Sequence, residues 1–407
     1  MVQRQLLLTA VAALPLVSAA AIERYRNETG QDALETDEYS RRAWINQQDY
    51  QSSKASNSWT TCNANNTVVR KEWSALSKTQ RKEYIAAVQC LGTLPPKTPL
   101  SAAPGVRRRY DDFVATHINQ TFSVHNTGNF LGWHRYLTWA YETALRDECG
   151  YTGYQPYYNW PLWASDPAAS PALDGSDTSM SGNGELGCTE QAGYGIPTNA
   201  QPNILIPHGA GGGCLKDGPF KDFGMNLGPV FSDLTCTPPN PIMDFANPQF
   251  GLGYNPRCLK RDISPWTSSQ WTSDAQVKAL LDCDGIFCFW ANMQGGVPAF
   301  VDNFMGVHTA GHFTIGGDPG SDFVSSNGDP WFYLHHAQID RVWWMWQNQK
   351  PAERTDALYG TITLADSPPS RNATLDDEMD LGYASDVRMT LGESMDTMAG
   401  PFCYRYE

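Results

Sequence analysis

Seven of the chain's eight histidines fall in two short segments, 117–134 and 308–336. His117, His125 and His134 form the first group, and His308, His312, His335 and His336 form the second. Scattered core histidines would not group in this way, and buried imidazoles need partners. A fold that satisfies them must bring the two segments together. The clearest local geometry is 308-HTAGH-312. On a helix, residues four apart share a face with Cβ atoms about 5–6 Å apart, so two imidazoles there converge on one metal ion with bonds of about 2 Å. His117, His125 and His134 are spaced by eight and nine; a loop between two helices brings His125 back to complete a three-nitrogen set. In 329-DPWFYLHHAQID-340 two histidines are adjacent. Successive helical residues point about 100° apart, so one of His335 and His336 joins the second set and the other has a different task.

The outcome is two sets of three neutral imidazoles with no carboxylate or thiolate clearly included. Such donors suit copper, zinc, iron or nickel, and two sets lining one core point to a dinuclear centre that binds a small bridging molecule. Thr309 stands where zinc proteases with an H-E-x-x-H motif place their glutamate, so that chemistry lacks its base. His208, in the loop 207-PHGAGGG-213, is not expected to be a ligand.

The remaining sequence sets the context. With 407 residues, 41% hydrophobic and 18% charged, the chain is globular and long enough for one large domain or two to three ordinary ones. A formal charge of −14 supplies no basic footprint for nucleic acid or an anionic membrane. Residues 1–20 read as a secretory signal peptide: Arg4, an apolar stretch from Leu6 to Val17, and small residues from Ser18. The stretch is too short to span a membrane. A secreted chain accords with N-glycosylation sequons at Asn27, Asn65, Asn119 and Asn372. It also accords with ten cysteines read mostly as disulfides of open pairing. Cys283 and Cys288 have no matching second pair for zinc.

Residues 21–60 read as a polar arm or processed leader, and 61–407 as one domain. Helices are expected over about 71–91 (with Ser77 capping its second part), 106–118, 130–148, 273–283, 298–312 and 330–348. Residues 165–265 are dense in Gly, Pro, Ser, Asp and Asn; a loop of this length needs function or stapling. The fold class is therefore mainly α, a bundle with long disulfide-stapled loops and few strands.

The segment 125-HNTGNFLGWHRYLTWAYETALRDECGYTGYQPYYNW-160 resembles the first copper-binding region of tyrosinases and catechol oxidases. The stretches 308-HTAGHFTIGG-317 and 329-DPWFYLHHAQIDRVWWMWQ-347 resemble the second, with 255-NPRCLKRD-262 and 404-YRY-406 similar to short secreted fungal members. The resemblance covers about 62–407. It implies a four-helix bundle around a type 3 dicopper centre, with ligands His117, His125, His134, His308, His312 and His336. His335 is then a neighbour, hydrogen-bonded or packed. Asp340 is left with two roles, accepting a ligand's second N–H or pairing with an arginine. Arg135 is expected to pair with a buried acid, and Tyr404 and Tyr406 to be structural. Trp133, Phe332 and Trp343 are read as core packing, and Phe313, directly after a ligand, as a gate candidate.

Two departures bear on activity. Ser123 stands where many fungal members carry a cysteine crosslinked to a ligand histidine. Thr309 and Met305 stand where monophenol-hydroxylating members often carry Asn and a water-holding Glu. The expected reaction is therefore oxidation of o-diphenols (catechols) to o-quinones, with two copper ions as cofactor and O2, reduced to water, as co-substrate. The alternatives are a tyrosinase that also hydroxylates monophenols, an o-aminophenol oxidase, and a hemocyanin-like O2 carrier.

Overall fold

The computed structural model describes residues 34–53, 62–63, 65–187, 194–195, 204–230, 249–295 and 305–407. The signal-peptide stretch, Asn27, Cys188 and Cys236 lie outside these residues. Nine helices of seven residues or more are described: α1 (Thr36–Ser53), α2 (Lys78–Leu91), α3 (Arg109–Val124), α4 (Phe130–Cys149), α5 (Pro265–Trp271), α6 (Asp274–Leu281), α7 (Ile286–Gln294), α8 (Val307–Ile315) and α9 (Trp331–Gln347). Strands are few, short and paired in twos.

Local chemistry explains the boundaries. Ser77 accepts from the Gln80 N–H while the Gln80 side chain accepts from the Ser77 N–H, a reciprocal cap that starts α2. The expected helix over 71–91 is thus split: Trp73–Ala75 is a separate 3-10 turn. The helix expected over 106–118 begins and ends later. Asp111 accepts from the Arg107 and Arg108 N–H groups at 2.9 and 3.3 Å, which holds the chain out of the helix until Arg109. It then continues through Asn119, Phe122 and Ser123, which face solvent. Gly150, left-handed at φ 69°, ends α4. Of the helix expected over 298–312, residues 298–304 lie outside the described residues; the described part is helical as Val307–Ile315, after Gly306 at φ 78°.

α9 is the centre of the molecule. All seventeen of its residues are buried; it packs on α4, and α1, α6 and α8 also contact it. Such a helix is surrounded by protein on every side. α8 packs chiefly on α5 and α7. Helices α3, α4, α8 and α9 form the bundle that carries the seven clustered histidines.

A buried ionic network fastens the chain ends to this bundle. Asp340 on α9 accepts from Arg135 on α4 at 2.5 Å, from Tyr406 at 2.5 Å and from Tyr404 at 2.6 Å, with Arg70 at 3.4 Å. Arg70 also bonds Glu142 at 3.0 Å. Two guanidinium groups thus face two carboxylates, each of the four side chains almost fully enclosed. Val68–Arg70 and Tyr404–Tyr406 form a parallel two-stranded ladder, with the Cys62–Cys403 disulfide beside it. Of the two roles left open for Asp340, the arginine pairing is the one formed. Burial, with Asp340 nearby, pushes the Tyr404 and Tyr406 hydroxyls well above their usual range, so both donate.

The segment expected as an arm contributes α1, which packs on the core. Trp44 donates to the Tyr406 carbonyl at 3.0 Å, Gln47 to Thr397 at 3.1 Å, and Thr36 to Asp274 at 2.6 Å. Disulfides Cys90–Cys149, Cys214–Cys258 and Cys283–Cys288 tie further segments. Asn65, Asn119 and Asn372 are exposed. Among the described residues, no helix is long and apolar enough to cross a membrane.

Removing one partner from a buried charge network leaves the others uncompensated, at a cost of about 3–5 kcal/mol. Asp340→Ala is therefore expected to lower unfolding stability by about that amount, measured by denaturant titration. An unchanged midpoint would show that the network contributes little.

Candidate metal centre

His117 lies on α3, His125 caps its C-terminus, and His134 sits in the first turns of α4. Each ring has a backbone carbonyl at Nδ1: Val324 for His117 at 2.8 Å, Thr121 for His125 at 2.9 Å, and Phe130 for His134 at 2.8 Å. A carbonyl only accepts, so each Nδ1 carries the proton and each Nε2 keeps a lone pair. The Nε2 atoms of His117 and His134 are buried with no hydrogen-bond partner. One ring nitrogen from each of the three histidines falls in a group spanning no more than 4.8 Å.

The second group lies opposite. His308 and His312, one turn apart on α8, bring their Nε2 atoms to 3.0 Å; His312 and His336 bring theirs to 3.3 Å. Two nitrogens bound tetrahedrally at about 2 Å to one metal ion are about 3.3 Å apart, so this spacing fits a shared ion. Rings from the two groups stack: His134 on His336 at 4.5 Å between centroids, His125 on His308 at 5.8 Å. Burial lowers the basicity of all these imidazoles. It takes His117 down to about 4 and His312 to about 3, so near neutral pH the rings are neutral, each with one N–H and one nitrogen lone pair. His312 is the one partly exposed ring among the six proposed ligands. Among the described residues, no carboxylate or thiolate joins either group. Two buried lone pairs without partners, and nitrogens at ligand spacing, make this donor set fit a pair of copper ions.

His335 is close enough to be counted with the second group, yet both its nitrogens are engaged. Trp160 Nε1–H donates to His335 Nδ1 at 3.0 Å, and His335 Nε2–H donates to the His308 carbonyl at 3.1 Å. No lone pair is left for a metal. Its ring lies between Trp331 and His308, nearly parallel to both, and a Cβ at Gly311 would collide with it. The glycine in HTAGH is thus the space in which His335 sits.

The other candidates are placed as follows. Phe332 stacks on His336 at 4.0 Å, and Trp133 lies 5.9 Å from His117. Trp343 is covered by the Arg135 guanidinium at 3.8 Å. Met305 and Phe313 belong to an apolar cluster with Ile204, Ile206, Trp271 and Ala310. The Thr309 hydroxyl donates to the Gln294 carbonyl at 3.1 Å. His208 pairs with Asp262 at 3.4 Å, outside both groups. Sequence reasoning missed Phe323, 4.7 Å from the His125 ring, as well as Trp160 and Gln294. No spacing rule links these residues to the histidines they touch.

After copper loading, His336→Phe is expected to retain about one ion per chain and His335→Phe to retain two, measured by elemental analysis. The opposite order would reverse the assignment of the adjacent pair.

Residues 107–349 match the family described as the common central domain of tyrosinase. Tyrosinase P of Aspergillus terreus is 42% identical over 342 residues, covering 83% of this chain and 91% of that protein. N-acetyl-6-hydroxytryptophan oxidase ivoB of Emericella nidulans is 37% identical over 355 residues, covering 85% and 94%. The structure of a mutant polyphenol oxidase from Thermothelomyces thermophila superimposes with a TM-score of 0.81 at 42% identity, covering 91% of this chain and 96% of the other.

Proposed function

The chain belongs to the tyrosinase family of type 3 copper proteins, and from that premise we propose that it is a secreted catechol oxidase. The observation that carries the oxidase reading is the pair of adjacent three-histidine sets, each with its ring nitrogens gathered within 4.8 Å of one another. In this reading His117, His125 and His134 hold one copper ion, and His308, His312 and His336 the other. The ions supply the binding and reduction of O2.

The protein's own groups do the remaining work. Backbone carbonyls hold the ligand rings in one tautomer and one orientation. Burial excludes water and keeps the rings neutral. His312, partly exposed, marks the side from which a flat phenolic ring approaches. The preference for o-diphenols rests on the neighbourhood of His308. The Thr309 hydroxyl is already committed to the Gln294 carbonyl, and Met305 is fully enclosed among apolar side chains. Neither side chain is a base that would take a proton from an incoming monophenol. A catechol needs less help, because it brings two hydroxyls and a lower first pKa. Secretion is supported by the N-terminal sequence and by four described disulfides, which suit an oxidising compartment.

Oxygen uptake by copper-loaded protein, with a catechol and its matching monophenol, tests this directly. The expected result is uptake with the catechol and at least about tenfold less with the monophenol, a barrier difference of about 1.4 kcal/mol. Equal turnover of both without a lag would make the protein a monophenol-hydroxylating tyrosinase. Reversible O2 binding with neither substrate consumed would make it a carrier.

A further inference from the structure

We infer that Gln294, on a helix that carries no ligand, is a positioning residue that sets the distance between the two histidine groups. The inference rests on the dicopper reading above. Gln294 ends α7 and is 3% exposed. Its side-chain Oε1 accepts from the Asn126 N–H at 2.7 Å, one residue after His125. Its backbone carbonyl accepts from the Thr309 hydroxyl at 3.1 Å, one residue after His308. One residue therefore bonds next to a ligand of each group. The rings of those two ligands, His125 and His308, stack across the gap between the groups.

Three further observations give this bridge its meaning. Asn126 is left-handed at φ 47°, a conformation that non-glycine residues rarely adopt and asparagine adopts best. The hydrogen bond from the Asn126 N–H to Gln294 Oε1 holds that turn, and the turn directs His125 back into the core. α7 grips the same loop a second time, through Trp290 Nε1–H to the Thr127 carbonyl at 2.8 Å. Lastly, Gln294 Nε2 and Asn126 Oδ1 are both buried with no partner. An unsatisfied buried amide costs stability, and an apolar side chain of the same length would avoid that cost. Among the described residues, the one hydrogen bond the Gln294 side chain makes is the bond to the His125 loop.

His308 is then braced from both sides. His335 bonds its carbonyl from α9, and Gln294 bonds the next residue from α7. The second brace alone reaches across to the first histidine group.

Gln294→Met keeps the length and volume but removes the acceptor for the Asn126 N–H. Thr309→Val removes the other tie, and Thr309→Ser keeps its hydroxyl. Each protein is loaded with copper, oxidised and examined by electron paramagnetic resonance, with copper content and melting temperature measured alongside. Two Cu(II) ions held close enough to share a bridging ligand cancel each other's signal; ions at a disturbed distance do not. Gln294→Met and Thr309→Val are expected to keep two coppers per chain and to show a severalfold larger signal per copper. In Gln294→Met, kcat for a catechol should fall about tenfold with little change in KM, as for a misplaced reacting group. Thr309→Ser should return the signal to the wild-type level. A Gln294→Met protein with two coppers and the wild-type signal overturns the inference. If that variant does not fold, equal signals from Thr309→Val and Thr309→Ser overturn it instead. Wild-type protein that fails to bind two coppers would defeat the dicopper reading itself, a distinct outcome.

Discussion

Hydrogen bonds from histidine Nδ1 to backbone carbonyls are the interaction on which the centre depends. Val324, Thr121 and Phe130 each receive one in the first group. Each bond fixes both the tautomer and the aim of a ring. Without it a buried imidazole could turn either nitrogen inward. With it, lone pairs face the gap between the helices, where burial leaves them no other partner. Burial alone would make these rings a liability; burial with one nitrogen satisfied leaves the other free to bind a metal ion.

The same helix serves structure and chemistry on different faces. α9 turns His336 toward the other histidines and, one turn later, Asp340 toward Arg135, Arg70, Tyr404 and Tyr406. The carboxylate fastens α4 and the C-terminal strand to α9. His134 and Arg135, adjacent on α4, face His336 and Asp340 respectively. The ionic network thus holds the two histidine-bearing helices in one register, apart from the histidine nitrogens themselves. Gln294 does comparable work for the helix and loop on the far side.

Much of the architecture was legible in the sequence because its signals are local. Helix periodicity, the Ser77 cap and the Gly150 stop all act within a turn or two. The i, i+4 pair of His308 and His312 is a local geometry as well. Other features depend on the fold. Spacing left His335 and His336 open and the family resemblance named His336; the physical reason is Trp160, distant in sequence, which bonds His335, and the space left at Gly311. Asp340 had two reasonable partners until α4 and the C-terminal strand were placed beside it. Phe323 and Gln294 carry no motif, and their positions follow from loops whose course no spacing rule sets. The α1 segment read as a polar arm because its contacts are side-chain hydrogen bonds to distant residues rather than an apolar stripe.

The most direct measurement of the central claim is anomalous diffraction at the copper edge from crystals of copper-loaded protein. The account predicts two peaks about 3.5–4 Å apart, as in other two-metal sites. One would lie among the Nε2 atoms of His117, His125 and His134, the other among those of His308, His312 and His336, with His335 bound to neither. A single peak, or a peak on His335, would contradict it.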